Sequence, residues 1–497
     1  MEFLLENIFG IFWAALILLM SFWAVCSIIS SRYNEPASAL LWLLLIVFAP
    51  GVGVGLYLVF GVRVSAHRDN GIDCQDSSPG GTEGTQTLQT PLLETLNKLF
   101  PEDNSKNNAM KLLEDGTKAY PEMLFAIDHA VKTIELQSFI IVADPVGTLF
   151  LQKLEERAAA GVQVHLVYDS FGSFKAVCRR FFRRKVENLK IRAYSPLSIF
   201  TPWRLQYRNH RKLLIVDNVI AFMGGINISD ANFTQYDAPA PLAGKDKLPR
   251  RKAIHDLHCL IVGDAVHRLR HSFFRDWDAC LKDNPRRADY LTWSENCEKA
   301  DPALLDFYQK RYKIKPSNEL RIIRSGPAEH YGASQNMFWS AAINAKKSIW
   351  IQTPYFVPGS DFIQLLGLAA ARSVDVRVIV PANNNHFFVK RASRSFYRML
   401  MNYGVKVYER QGVFSHIKAM LVDEEYVFMG SSNCDMRSFK LNYELDICVS
   451  PGDFVNMVKP KFDLKREHCV LVKCCQLPKD KITVFIDNIF SLLAPIL

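Results

Sequence analysis

The sequence predicts an α/β protein made of two duplicated halves behind a pair of apolar N-terminal helices. Three observations lead there. A spaced set of residues occurs twice, first as His210, Lys212, Asp217, Gly224, Gly225 and Asn227, then as His416, Lys418, Asp423, Gly430, Ser431 and Asn433. Around each copy, helix-length segments alternate with short apolar runs, the pattern of a sheet covered by helices. Ahead of both copies lie two long runs without charge.

From Ile8 to Ser30 (IFGIFWAALILLMSFWAVCSIIS) no residue is charged. A helix of that length crosses the roughly 30 Å hydrocarbon core of a bilayer. A second uncharged run, Ala37 to Gly61, follows SRYNEP, so the two read as a transmembrane helical hairpin. A cleaved leader is disfavoured, because Glu2 and Glu6 stand where a signal peptide carries Lys or Arg, and the run exceeds a signal's apolar core. The hairpin returns the chain to its starting side, where Arg63 and Arg68 outnumber Arg32 of the turn. The positive-inside rule then puts the following body in the cytoplasm.

Between Asp69 and Pro91 the chain is poor in apolar residues and rich in Gly, Ser and Thr, which reads as a flexible linker. The expected organisation is an anchor over 1–68, a linker over 69–105, a first half over 106–290 and a second over 291–497. The stretch Asp276 to Ser317 is expected to join the halves. Repetition extends beyond the motif: Thr133 to Gln137 (TIELQ) echoes Ser348 to Gln352 (SIWIQ), and GVQVHLVYD after Ala160 echoes SVDVRVIVP after Arg372. The period is too long for a solenoid, and 497 residues suit two domains of ordinary size.

A histidine and a lysine two apart on a strand share one face. One copy alone would pass for a strand beginning at the surface; two copies at identical spacing do not. Paired about a pseudo-twofold axis, they would set two imidazoles on opposite sides of one phosphorus, with two lysines and two asparagines around its oxygens. Neutral imidazole attacks phosphorus and leaves again, while a second imidazole gives and takes a proton. Gly224, Gly225, Gly430 and Ser431 would let backbone approach the ligand closely. No metal is expected, since His255 and His258, three apart on a strand, point to opposite faces.

Asp256 and Glu444 precede matching apolar strands, and each is expected to orient a histidine through Nδ1. Asp256 follows His210 by 46 residues and Glu444 follows His416 by 28, so the first half carries an insertion, within FTQYDAPAPLAGKDKLPRRK (233–252). Proline and glycine mark it as a loop. Asp217 and Asp423 complete the motif, although an aspartate at the far end of a strand also reads as a structural hydrogen-bonder in a turn.

The pattern H-x-K-x4-D with its following glycine and asparagine resembles the signature of the phospholipase D superfamily. YRNHRKLLIVDN from Tyr207, TPYFVPGSDF from Thr353, ASRSFYRMLMNYGVKVYE from Ala392 and SSNCDMRSFKLNYE from Ser431 are similar, more closely, to bacterial cardiolipin synthases. The resemblance implies two phospholipase D-like halves, each a mixed sheet covered by helices, packed as a pseudo-twofold pair. It implies a multi-pass phosphatidyltransferase of the bacterial inner membrane that makes cardiolipin and glycerol from two phosphatidylglycerols through a phosphohistidine, without a cofactor. His210 would be the nucleophile and His416 the acid and base, the symmetry leaving the reverse open. Lys212, Lys418, Asp217 and Asp423 would complete the catalytic set; the two lysines, Asn227 and Asn433 would hold phosphate. Water or another alcohol as acceptor would make a phospholipase D-type hydrolase or transferase. An inactive tethered scaffold is the other alternative, against which the intact His, Lys and Asn of both copies weigh.

Lys and Arg number 60 against 50 acidic residues, a net charge of +10 that suits nucleic acid or anionic lipid. On a tethered protein the partner expected is anionic phospholipid, phosphatidylglycerol and cardiolipin, rather than nucleic acid. CRRFFRRK (Cys178 to Lys185) reads either as an interfacial surface or as a solvated helix face with buried phenylalanines, and Arg391 and Arg394 as candidates for a second lipid phosphate. Eleven scattered cysteines without zinc or disulfide spacing suit a reducing compartment.

Overall fold

The computed structural model describes residues 2–30, 36–62, 90–101, 104–196, 198, 201–233, 254–280, 300–478 and 480–492. The chain divides into two compact units: Met1–His67 with Leu197–Tyr207, and Arg68–Pro196 with Arg208–Leu497.

In the first unit, helix α1 (Glu2–Ser30) is followed by α2 (Pro36–Phe48) and α3 (Pro50–Leu56), which runs into a π-helical turn, Tyr57–Gly61. The expectation of one helix from Ala37 to Gly61 is corrected: the run breaks at Ala49, whose ψ of 69° is non-helical. Pro50 is the cause, because its ring disfavours the helical conformation of the residue before it and it has no N–H to donate. α3 then approaches the end of α2 so closely that a Cβ on Gly53 would sit 2.7 Å from the Leu45 carbonyl oxygen. The Tyr57 hydroxyl donates to Ser27 Oγ at 2.9 Å, and Trp23 and Trp42 pack edge-on against its ring. Tyr207 belongs to this unit, donating through its hydroxyl to the Val62 carbonyl at 3.0 Å. Among the described residues, Ile8–Ser30 is the one helix long and apolar enough to cross a membrane.

Among the described residues, the second unit is built on one fifteen-stranded sheet, with two separate two-stranded ladders, and the unit has two halves. Its first half contributes β1 (Asn104–Glu114), β2 (Thr133–Ser138), β3 (Gln163–Asp169), β4 (Leu189–Tyr194), β5 (Leu213–Val216), β6 (Ile220–Gly224), β7 (Ile254–His255) and β8 (Leu257–Gly263). The second contributes β9 (Asn318–Ser325), β10 (Ser348–Gln352), β11 (Phe356–Val357), β12 (Asp375–Pro381), β13 (Lys406–Arg410), β14 (Phe414–Ser415), β15 (Ala419–Val422), β16 (Tyr426–Gly430), β17 (Cys434–Asp435), β18 (Glu444–Val449) and β19 (Cys469–Leu471). Across the sheet the order is β4-β3-β2-β5-β6-β8-β1, then β9-β18-β16-β15-β10-β12-β13-β19. Apart from β19, the second series mirrors the first about the antiparallel β1–β9 seam. Within each half the outer three strands are parallel and the rest antiparallel, the mixed sheet expected.

The motif strands are buried on both faces, which is why they read as unbroken apolar runs. In LLIV, Leu213 and Ile215 enter a core built by both halves, together with Ala419 and Leu421 of AMLV. Leu214 and Val216 enter the outer core of the first half, and Met420 and Val422 that of the second. A one-residue slip would exchange these sets and remove the histidine from its face.

Two expected boundaries are corrected by helices that cross between the halves. Pro91–Leu99, inside the expected linker, is a helix started by Thr90, whose hydroxyl accepts from the Leu93 N–H; Leu92 and Leu96 are buried in the second half's core. Conversely, the helix Pro302–Tyr312, expected to connect the halves or to open the second, buries Tyr308 and Tyr312 in the first half's core. Residues 69–89 and 102–103 of the linker, residues 281–299 of the connection, and all of the insertion but Phe233 lie outside the described residues, and Asn104 and Ser105 already belong to β1. CRRFFRRK is not a helix face: the helix Phe174–Cys178 stops at its first residue, and turns bury Phe182 against Tyr168, ring centroids 3.7 Å apart, with Arg179, Arg180 and Arg183 exposed.

Candidate active site

β5 and β15 are each preceded by a short extended stretch holding the motif histidine and lysine, and both stretches are clamped by the other half. The His210 N–H donates to the Tyr443 carbonyl at 2.9 Å; the His416 N–H donates to the His255 carbonyl at 2.7 Å. Tyr443 and His255 immediately precede the two expected carboxylates. Glu444 oxygens therefore lie 2.9 and 3.1 Å from His210 Nδ1, and Asp256 Oδ2 lies 2.7 Å from His416 Nδ1. Each histidine takes its carboxylate from the opposite copy. A carboxylate at Nδ1 holds the proton there and leaves the Nε2 lone pair to react.

The supports differ between the two sides. Glu444 accepts from Ser431 Oγ at 2.6 Å, Ser438 Oγ at 2.8 Å and Asn442 Nδ2 at 3.1 Å. Asp256 instead accepts from the Leu257 N–H at 2.9 Å and from Lys418 Nζ at 3.3 Å. A Cβ on Gly225 would fall 2.2 Å from Asp256 Oδ1, so this glycine makes room for the carboxylate, and one on Gly430 would strike Asp446. Gly224, at φ 147°, has the backbone of Leu257 and His258 where a Cβ would lie. Ser431, at the place equivalent to Gly225, fills that room with a hydroxyl.

Lys212 and Lys418 are buried, and each ammonium donates to the carbonyl of the histidine two residues before it. Asn227 Oδ1 accepts the Ile140 N–H at 3.1 Å, which fixes the amide oxygen of that side chain. The Asn433 N–H donates to Ser438 Oγ at 3.1 Å. Asp217 and Asp423 are not with the histidines. Each sits past the far end of its strand in a left-handed turn, φ 54° and 53°. Asp217 accepts from the N–H groups of Val131, Lys132 and Thr133 at 2.6–2.9 Å; Asp423 accepts from those of Lys346, Lys347 and Ser348 at 2.6–3.0 Å. The catalytic role expected of both is thereby replaced by a backbone clamp that fixes the start of β2 and of β10. His255 is held by Asp115, 2.7 Å from Nδ1, and Arg391 pairs with Asp487 at 3.0 Å.

Burial dominates the electrostatics. It lowers His210 well below the ordinary imidazole range, helped by Lys212 and Lys418. It brings His416 down to about 4, with Lys418 adding to the effect and Asp256 opposing it. Burial would raise Asp256, but Lys418 and His416 outweigh it and hold the carboxyl at about 2. Glu444 goes the other way, raised by burial against the pull of Lys212. Lys212 falls to about 7 through burial, and Lys418 is lowered for the same reason. Two neutral imidazoles therefore face a pair of buried amines whose charge an anion would stabilise.

Arg211 was not singled out by its sequence. Lying between His210 and Lys212, it points to the opposite face and is fully buried. Its guanidinium reaches Asp276 at 2.8 Å, Glu329 at 2.8 Å and the Glu444 carbonyl at 3.1 Å, joining the halves beneath the site. The equivalent residue is the apolar Ile417, so the repeat gave no signal. Ser438 and Asn442 lie inside the segment from Ser431 most similar to the family, which was the available clue.

Paired histidines and lysines, each set just before equivalent strands of the two mirrored halves of one sheet, define a phospholipase D-like protein. The fold resembles that of phosphatidylserine synthase from Haemophilus influenzae, with a TM-score of 0.57 at 12% identity over 82% of this chain and 100% of that one. Residues 123–238 and 340–465 match the family described as "Cardiolipin synthase, PLD-like domain", and residues 19–61 match "Phospholipase_D-nuclease N-terminal". Cardiolipin synthase 1 of Bacillus anthracis is 30% identical over 98% of this chain and 94% of its own length; the cardiolipin synthase of Alkalihalophilus pseudofirmus is 31% identical over 84% and 80%. The chain belongs to the cardiolipin synthase family of phospholipase D-like enzymes.

Proposed function

We propose that this enzyme transfers a phosphatidyl group between two phosphatidylglycerol molecules, giving cardiolipin and glycerol. The observation that carries the reading is the crossed pairing of His210 with Glu444 and His416 with Asp256, at 2.9 and 2.7 Å. It supplies two imidazoles with Nδ1 occupied, beside two buried amines that match one phosphodiester.

His210 Nε2 attacks phosphorus, forming an N–P bond as the bond to the glycerol oxygen breaks. His416, protonated once the anionic substrate has entered, delivers its proton to that oxygen. Glycerol leaves, and His416 takes the proton from the terminal hydroxyl of a second phosphatidylglycerol, whose oxygen displaces His210. The assignment of roles rests on the carboxylates: Asp256 is held fully ionised and favours an imidazolium on His416, whereas Glu444 is drawn toward its neutral form. Lys212, Lys418, Asn227 and Asn433 bind the non-bridging oxygens. Helix α1 anchors the chain in the bacterial inner membrane, with the catalytic body in the cytoplasm.

Purified protein incubated with labelled phosphatidylglycerol, without nucleotide, tests the reading. Cardiolipin and glycerol in equal amounts are expected. Phosphatidic acid in their place would make water the acceptor, and no product would point to another phosphodiester.

A further inference from the structure

We propose that the catalytic unit itself seats on an anionic bilayer through two equivalent apolar lips, one after β3 and one after β12, that flank the histidines. The proposal rests on the lipid-substrate reading above and concerns how that substrate is reached.

β3 and β12 hold matching places in the mirrored sheet. Just past β3 stand Phe171 and Phe174, 57% and 49% exposed; just past β12 stand Phe387 and Phe388, 59% and 53% exposed. Each lip is joined to its own histidine by packing. Phe139 meets the His210 ring edge-on at 4.9 Å, and its carbonyl accepts from Ser173 Oγ at 3.2 Å, tying down the turn that carries Phe171. Tyr355 meets the His416 ring at 6.0 Å and the His386 ring at 5.6 Å, and His386 precedes Phe387.

The second lip is widened by the helix Lys481–Leu492. Phe490 packs on Phe387 and Phe388, while Ile482, Phe485 and Ile489, spaced to share one helix face, are exposed. Exposed aromatic and aliphatic side chains gathered at a site mouth mark an interaction surface rather than ordinary solvent contact. The charge beside the first lip decides the partner. Lys175, Arg179, Arg180 and Arg183 are all exposed next to Phe171 and Phe174. Basic residues bordering insertable phenylalanines fit an anionic bilayer, where the apolar tips enter and the cations meet phosphate. Seated so, each lip would let acyl chains stay in the membrane while a headgroup rises to its histidine.

Full-length protein in vesicles of equal parts phosphatidylglycerol and phosphatidylcholine, with a trace of phosphatidylglycerol carrying a photoreactive acyl chain, tests the seating without any substitution. Adducts are expected on peptides containing Phe171, Phe174, Phe387, Phe388 and Phe485, and severalfold fewer in vesicles of phosphatidylcholine with the same probe. Labelling confined to α1, or equal in both vesicles, would overturn the proposal whether or not the enzyme turns over. A second arm uses F171S/F174S/F387S/F388S, with wild type as reference. Turnover of phosphatidylglycerol in vesicles should fall about tenfold or more, with turnover of a short-chain, freely dissolved phosphatidylglycerol within about twofold of wild type. Equal loss on both substrates, or on neither, would overturn it; absence of turnover by wild type on either would instead remove the reading on which it rests.

Discussion

Glu444 Oε2 lies 2.9 Å from His210 Nδ1, although the two residues are 234 positions apart and belong to different copies of the repeat. The reciprocal pair, Asp256 and His416, is 160 positions apart. Crossing the carboxylates in this way makes each reactive imidazole a joint product of both halves. Glu444→Gln should keep the fold and lower kcat by about a thousandfold or more, the scale seen when a histidine loses the carboxylate that sets its tautomer. KM should change little. Steady-state kinetics on phosphatidylglycerol, with circular dichroism of the variant, provide the check.

The two histidines should separate in their chemistry. His210→Ala should leave no turnover and no covalent adduct, whereas His416→Ala should leave no turnover but still accumulate some phosphatidyl group on His210. Acid-free quenching and mass spectrometry of the peptide from Tyr207 to Lys212 would read this. An adduct on His416 in the His210→Ala protein would reverse the assignment.

Asp217 and Asp423 should behave as structural residues. Asp423→Ala takes the acceptor from the exposed N–H groups of Lys346 and Lys347, which water can replace, and from the part-buried N–H of Ser348, at a cost of about 0.5–1.5 kcal/mol. Thermal unfolding should shift accordingly, with kcat per folded molecule near that of wild type. A loss of kcat beyond a hundredfold in stably folded protein would return this residue to the chemistry.

Acid should destabilise the ligand-free enzyme in a defined window. His416 is lowered to about 4 from an ordinary value of 6.5, so between those values the unfolded chain binds a proton that the folded one does not. Stability is therefore fully present above about pH 6.5 and is lost as pH falls through about 4, by on the order of 3 kcal/mol for this group. Glu444, raised by burial, acts in the opposite sense across the carboxylate range. Thermal unfolding of the detergent-solubilised protein from pH 7 to 4 should show the decline, and His416→Gln should make it shallower by the share of this one group, the buried His165, His210 and His258 and the half-buried His271 being lowered in the same sense.

Arg211→Ala should be among the most damaging substitutions, since it takes from the buried Asp276 its ion-pair partner and leaves Glu329 only the more distant Arg275 and Arg324, at about 3–5 kcal/mol. Melting temperatures of Arg211→Ala and of the wild type decide this.

The duplication, the motif strands and both carboxylates were legible because each depends on local pattern repeated at fixed spacing. Which carboxylate served which histidine was not, since the swap is set by the β1–β9 seam, a pairing between strands more than 200 residues apart. The same seam hid the exchange of the helices Pro91–Leu99 and Pro302–Tyr312, whose amphipathic faces say that they dock but not on which half. Pro50 announced the break at Ala49, yet the uninterrupted hydrophobicity around it outweighed one residue. Arg211 was masked because its counterpart, Ile417, needs no partner.

The seam also governs how the enzyme can fail. Asp256 immediately precedes β8 and Glu444 begins β18, the strands on either side of β1 and β9. Any opening along that line withdraws the support of both histidines together. A partly unravelled molecule then keeps neither histidine–carboxylate pair, so damage silences it instead of leaving a remnant with half a site.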